Sequence, residues 1–81
     1  MEIVIDTPVM VGDRVLVENY KSSKKPMEPG TVQTVEAGIY PNGSYHLSFD
    51  VILDRRAKGT DWNPHGKALR LHVGLRQIRK I

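Results

Sequence analysis

Few residues of this 81-residue chain could do acid–base, metal or anion chemistry, and they fall into separate sets. His46, Asp50 and His72 sit in stretches where apolar and polar residues alternate, so all three side chains point away from the apolar face. Two imidazoles and a carboxylate would suffice chemically to hold a metal ion. No ligand motif surrounds them, and His65 stands apart in a loop. The chain has no cysteine, no Gly-x-Ser-x-Gly and no phosphate-cradling Gly-x-x-x-x-Gly-Lys. It reads as non-enzymatic, with no catalytic residue, no metal site and no cofactor.

The cationic set is larger. Net charge is +3, unevenly spread: residues 1–40 carry −2 and residues 41–81 carry +5. Arg55, Arg56 and Lys58 gather at the end of one alternating stretch. Arg70 points outward on another, and Arg76, Arg79 and Lys80 follow it. Guanidinium and ammonium groups held on a rigid sheet would contact phosphates and release counterions. Trp62, the only tryptophan, lies in a 57–66 loop rich in Asn, His and Gly. It either stacks on an unpaired base or lies as a lid over apolar surface. Nucleic acid is the first partner expected, through a basic face of the C-terminal half. Ordinary solubilising charge is the plainer reading of the same residues.

Two smaller sets point elsewhere. Leu16, Ile52 and Ala68 face outward by alternation, and Ile52 interrupts a polar face. A contiguous patch of them would be an interface for a protein partner or a homo-oligomer. Tyr20, Tyr40 and Trp62 would have to converge to cage a quaternary cation. Tyr45 and Phe49 belong to the apolar face and are read as packing.

The elements that must position these residues centre on 44–54. Tyr45, Leu47, Phe49, Val51 and Leu53 recur at period two, which marks a half-buried strand. Short strands are expected at 2–5, at 14–20 with Val15 and Val17 inward, and at 30–37. Val32 and Val35 break strict alternation in the last of these, which calls for a β-bulge. Residues 21–29 have loop composition. Asn42-Gly43 is a hairpin signal, expected to pair Tyr40 with Tyr45. Leu69, Leu71 and Val73 face inward on a strand over 67–73. One 3₁₀ turn fits 74–77, and a last short strand fits 78–81.

The order strand, long loop, strand, hairpin, long strand, loop, strand, 3₁₀ turn, strand resembles the SH3-like barrel. The residues that carry the resemblance are Gly12-Asp13-Arg14-Val15, Gly30-Thr31-Val32, Tyr45 to Asp50, and Leu69-Arg70-Leu71-His72 leading through Leu75 to Ile78-Arg79-Lys80-Ile81. The chain is similar to the Tudor, chromo-like and KOW group, whose barrels bind RNA, DNA or partner proteins. It also resembles the plasmid-encoded type of dihydrofolate reductase. That family carries Val-Gln-Ile-Tyr in its penultimate strand, where Leu69-Arg70-Leu71-His72 stands here, so its active-site residues do not carry over. The resemblance implies an all-β, five-stranded SH3-like barrel with a short N-terminal strand and one 3₁₀ turn before the last strand.

The length suits one domain, residues 1–81. Neither a signal peptide nor an apolar run of the ~20 residues that span a membrane is present. A cytoplasmic protein without a membrane partner is expected.

Overall fold

The computed structural model describes residues 7–59, 61–62 and 64–81. The strand expected at 2–5 lies outside the described residues. Those residues form five strands and one 3₁₀ turn, with no α-helix among them: β1 Arg14–Glu18, β2 Met27–Ile39, β3 Tyr45–Arg56, β4 Ala68–Gly74, the 3₁₀ turn Leu75–Gln77, and β5 Ile78–Lys80. They make one antiparallel sheet in the order β4-β3-β2-β1-β5. Among the described residues no pairing joins β4 to β5, so the sheet is open.

Alternation on β3 sets the core. Leu47, Phe49, Val51 and Leu53 are all buried, and Phe49 and Val51 are 0% exposed. Val15 and Val17 of β1, Val32 of β2, and Leu71 and Val73 of β4 join them in one cluster, with Val35, Leu69 and Ile78 packed at its border. A flat single-layer sheet would leave this face wet. With no helix over it among the described residues, the shielding comes from curvature and from Val9, which turns into the cluster while its neighbours Met10 and Val11 stay exposed. Tyr45, the first residue of the alternating series, remains 37% exposed. It sits beyond the end of β4, whose pairing with β3 stops at Ser48↔Gly74.

β2 serves two partners and differs most from expectation. It begins at Met27 rather than Gly30 and so takes in Pro29. Asn19 N donates to Pro26 O at 2.9 Å and Val32 N to Asp13 O at 3.0 Å, so even-numbered residues of this half bond to β1. The N–H that Pro29 lacks would have faced β3, and the β2–β3 ladder accordingly starts at Gly30↔Leu53. The bulge falls between Val32 and Thr34, where Gln33 is the extra residue. It lets both Val32 and Val35 face inward.

The hairpin register also differs: Ile39, not Tyr40, pairs with Tyr45. Gly43 N donates to Tyr40 O at 3.0 Å and Tyr40 N to Ser44 O at 2.8 Å. This is a type I turn with Pro41 and Asn42 at its centre, followed by Gly43 at φ +88°. Proline fits the first central position of that turn, and only the glycine needs positive φ. Asn42 Oδ1 accepts from Ser44 N at 3.0 Å and holds the loop. The 3₁₀ turn is tied by Gly74 N donating to Gln77 Oε1 at 3.1 Å.

Phe49 is the largest side chain with no exposure. Phe49→Ala should cost about 3–5 kcal/mol, as much as the whole stability of so small a domain. Urea unfolding followed by circular dichroism should find that variant largely unfolded in buffer, and Ile52→Ala on the opposite face folded.

Candidate nucleic-acid interface

Three cationic side chains gather at one groove of about 470 Å³. Lys21, Arg55 and Lys67 line it together with the main chain of Arg70, over an apolar floor of Leu53, Leu69 and Leu71, with Ala57 and Ala68 beside them. The groove opens where the segment after β1 approaches β4, and Lys21 Nζ reaches Arg70 O at 3.5 Å there.

Each cation is positioned by local structure. Lys21 follows a turn held by Asn19, whose Oδ1 accepts Lys21 N at 3.2 Å. Asn19 is itself 8% exposed, and its Nδ2 donates to Glu28 Oε2 at 2.6 Å. Arg55 Nε donates to Glu28 Oε1 at 2.7 Å. Hydrogen bonds from Arg55 and then Asn19 hold the Glu28 carboxyl below its ordinary range. Glu28 thus offsets one of the three charges and fixes the direction of Arg55. Arg70 alternates outward on β4, opposite Ile52.

The stems of the 57–67 loop also line the groove. Ala57 N donates to Lys67 O at 2.9 Å. Arg56 donates from Nε to His65 O at 3.0 Å and from Nη2 to Gly66 O at 2.6 Å. Its guanidinium is therefore occupied in closing the loop. Gly66 has φ +78°, and a Cβ there would collide with Ala57 O. Beyond this clasp Lys58 is exposed, and Trp62 is 98% exposed.

The cationic residues singled out in the sequence are thus divided. Arg55 lines the groove, Arg70 borders it only through its carbonyl while its charge lies on the outer face near Asp50, Lys58 and Trp62 lie on the groove's loop, and Arg56 braces that loop. Arg76 lines a second groove of about 840 Å³ with Tyr45, His46, His72 and Leu75. Arg79 lies on β5 opposite Leu16, and Lys80 pairs with Asp13 at 3.4 Å. Lys21 and Lys67 were missed. Lys21 falls in the 21–29 stretch of loop composition, although Asn19-x-Lys21 at a strand end is a turn signal. The position of Lys67 follows only from the loop closure.

Neither smaller set is gathered. Leu16 and Ile52 are half-buried on the outer face, but an ion pair between Arg14 and Asp54 crosses the ground between them. Arg14 Nη1 lies 2.6 Å from Asp54 Oδ1 and 2.9 Å from Thr31 Oγ1. Ala68 pairs with Arg56 and lines the basic groove instead. Tyr20 follows β1 while Tyr40 opens the hairpin, at opposite ends of 13-residue β2, about 40 Å of strand apart. His72 Nδ1 lies 2.8 Å from Asp50 Oδ1, and Thr34 Oγ1 donates to Asp50 Oδ2 at 2.8 Å. His46 instead lies across Gly38, in ring contact with Tyr40 at 5.4 Å. Among the described residues no group of three His, Cys, Asp or Glu side chains is placed to hold a metal ion, and no helix is long and apolar enough to cross a membrane.

No family model matches the chain, and no characterised protein or solved structure is significantly similar to it.

The carboxylates of the sheet share one electrostatic signature. Asp50 is held below its ordinary range by hydrogen bonds from His72 and then Thr34, Asp54 by Arg14, and Asp13 by Met10 N and then Lys80. Each titrates lower folded than unfolded, so it favours the fold above the ordinary carboxylate range and ceases to as pH falls through its folded value. Urea midpoints should hold between about pH 7 and 5 and drop below about pH 4. Asp50→Asn should flatten part of that drop.

Proposed function

We propose that this chain is a non-enzymatic SH3-like module that binds single-stranded nucleic acid along the basic groove. The reading rests on one observation: Lys21, Arg55 and Lys67 meet over an apolar floor, and the loop springing from that groove carries an almost fully exposed tryptophan. Ammonium and guanidinium groups along one line suit a phosphate backbone, and an exposed indole suits a base face. Duplex DNA fits less well, because a groove walled on one side by a turn and on the other by a strand presents no helix or ribbon to a major groove. The SH3-like assignment draws support from the sheet order, with the last strand beside the first, and from the 3₁₀ turn between β4 and β5. Curvature strong enough to bury Phe49 with no helix over it among the described residues favours it too.

Fluorescence anisotropy with a labelled oligonucleotide tests the proposal. Binding to a single strand should show a slope of about −2 in log K against log salt, as expected for some three phosphates. The pair Lys21→Glu and Lys67→Glu should weaken binding by about tenfold or more. Trp62→Ala should weaken it by about fivefold to a hundredfold, the equivalent of ~1–3 kcal/mol per stacked base. Arg76→Ala and Arg79→Ala should leave it unchanged. Absence of binding at low salt, or equal losses from all these variants, would overturn the assignment.

A further inference from the structure

The second half of β2 has an edge to which nothing in the described chain is bonded. β1 pairs with β2 only from Met27 to Thr31. Past the bulge, Tyr40 N bonds to Ser44 O, so in this half the even-numbered residues face β3. The N–H and C=O groups of Val35, Ala37 and Ile39 therefore point outward. The bulge produces this switch, since one extra residue exchanges the two sets. Natural edges are blunted by lysine, proline or extreme shortness. This one has neither lysine nor proline from Gln33 to Ile39, and Ile39 is 54% exposed.

We propose that the edge from Val35 to Ile39 pairs with the same edge of a second copy, around a two-fold axis through Ala37. Its pattern is its own complement. Antiparallel pairing centred on Ala37 sets Ala37 against Ala37 and Val35 against Ile39 on either side. All three are residues whose N–H and C=O groups are turned outward, so every facing pair is a hydrogen-bonded one. Their side chains share the inner face, and apolar groups meet apolar groups. On the outer face Glu36 falls opposite Gly38 of the second copy. Across that glycine lies the imidazole of His46, because a Cβ on Gly38 would occupy the ring's place. A carboxylate thus meets an imidazole N–H twice, once on each side of the axis. A two-fold arrangement requires this self-complementarity.

The chain's lack of cysteine makes the test direct. In a hydrogen-bonded antiparallel pair the Cα atoms stand about 5.5 Å apart, within the span of a disulfide. Under mild oxidation Ala37→Cys should cross-link to a dimer at least tenfold faster than Ser23→Cys, placed in an exposed turn. Sedimentation equilibrium of the unaltered chain should show a mass rising with concentration. Ile39→Lys should raise the dimer dissociation constant tenfold or more while leaving the circular dichroism unchanged. Ala37→Pro removes only an outward donor and should do the same; if it fails to fold, the other two variants still decide. A monomer up to about 1 mM, or equal cross-linking of the two cysteine variants, would overturn the proposal. None of these residues lines the basic groove, so either proposal can fail alone.

Discussion

The unbroken alternation of β3 is the constraint from which the rest follows. Leu47, Phe49, Val51 and Leu53 must all leave water together, and each of β2 and β4 must present apolar groups to that same side. A slip of one residue would turn the whole set outward. β4 meets the requirement directly, with Val73 opposite Phe49 and Leu71 opposite Val51. β2 cannot, because its bulky apolar residues are three apart. The extra residue at Gln33 resolves the conflict, and Val32 and Val35 both reach the inner face.

That solution shapes both surfaces discussed above. On the basic side, β3 runs three residues beyond its last core position, and this overhang carries Arg55 to Glu28 and Arg56 to the loop carbonyls. Two guanidiniums adjacent in sequence thus take unlike tasks, one facing the groove and one clasping its loop. On the other side, the hairpin outgrows its neighbours. β1 stops short of the bulge and β4 stops at Gly74. Ile39, Tyr40 and Tyr45 are left partly in water for that reason.

Period-two patterns made the inward faces of β1, β3 and β4 legible in the sequence, because burial on one side of a strand writes itself into every second residue. The 3₁₀ turn and last strand were legible from spacing too short for anything else. The start of β2 was not, since Met27-Glu28-Pro29 has loop composition, and only the parity of hydrogen bonding shows why proline is tolerated there. The hairpin register was not legible: a two-residue turn at Asn42-Gly43 and a four-residue loop over 41–44 both pair Tyr40 with Tyr45, whereas the type I turn centred on Pro41-Asn42, with Gly43 after it, leaves three residues in the loop. At the groove, charge type was visible and convergence was not. Lys21 is brought to the backbone carbonyl of Arg70 by curvature, and no local pattern records curvature.

The pairing of β1 with β5 sets Val15 beside Lys80, and Ile81 N bonds to Arg14 O at 3.0 Å. Almost the entire polypeptide separates these partners. Closing so long a loop has an entropic cost before any contact rewards it, which slows acquisition of the native state. On the ribosome, β1 would emerge well ahead of β5 and wait for that neighbour while the three intervening strands were made.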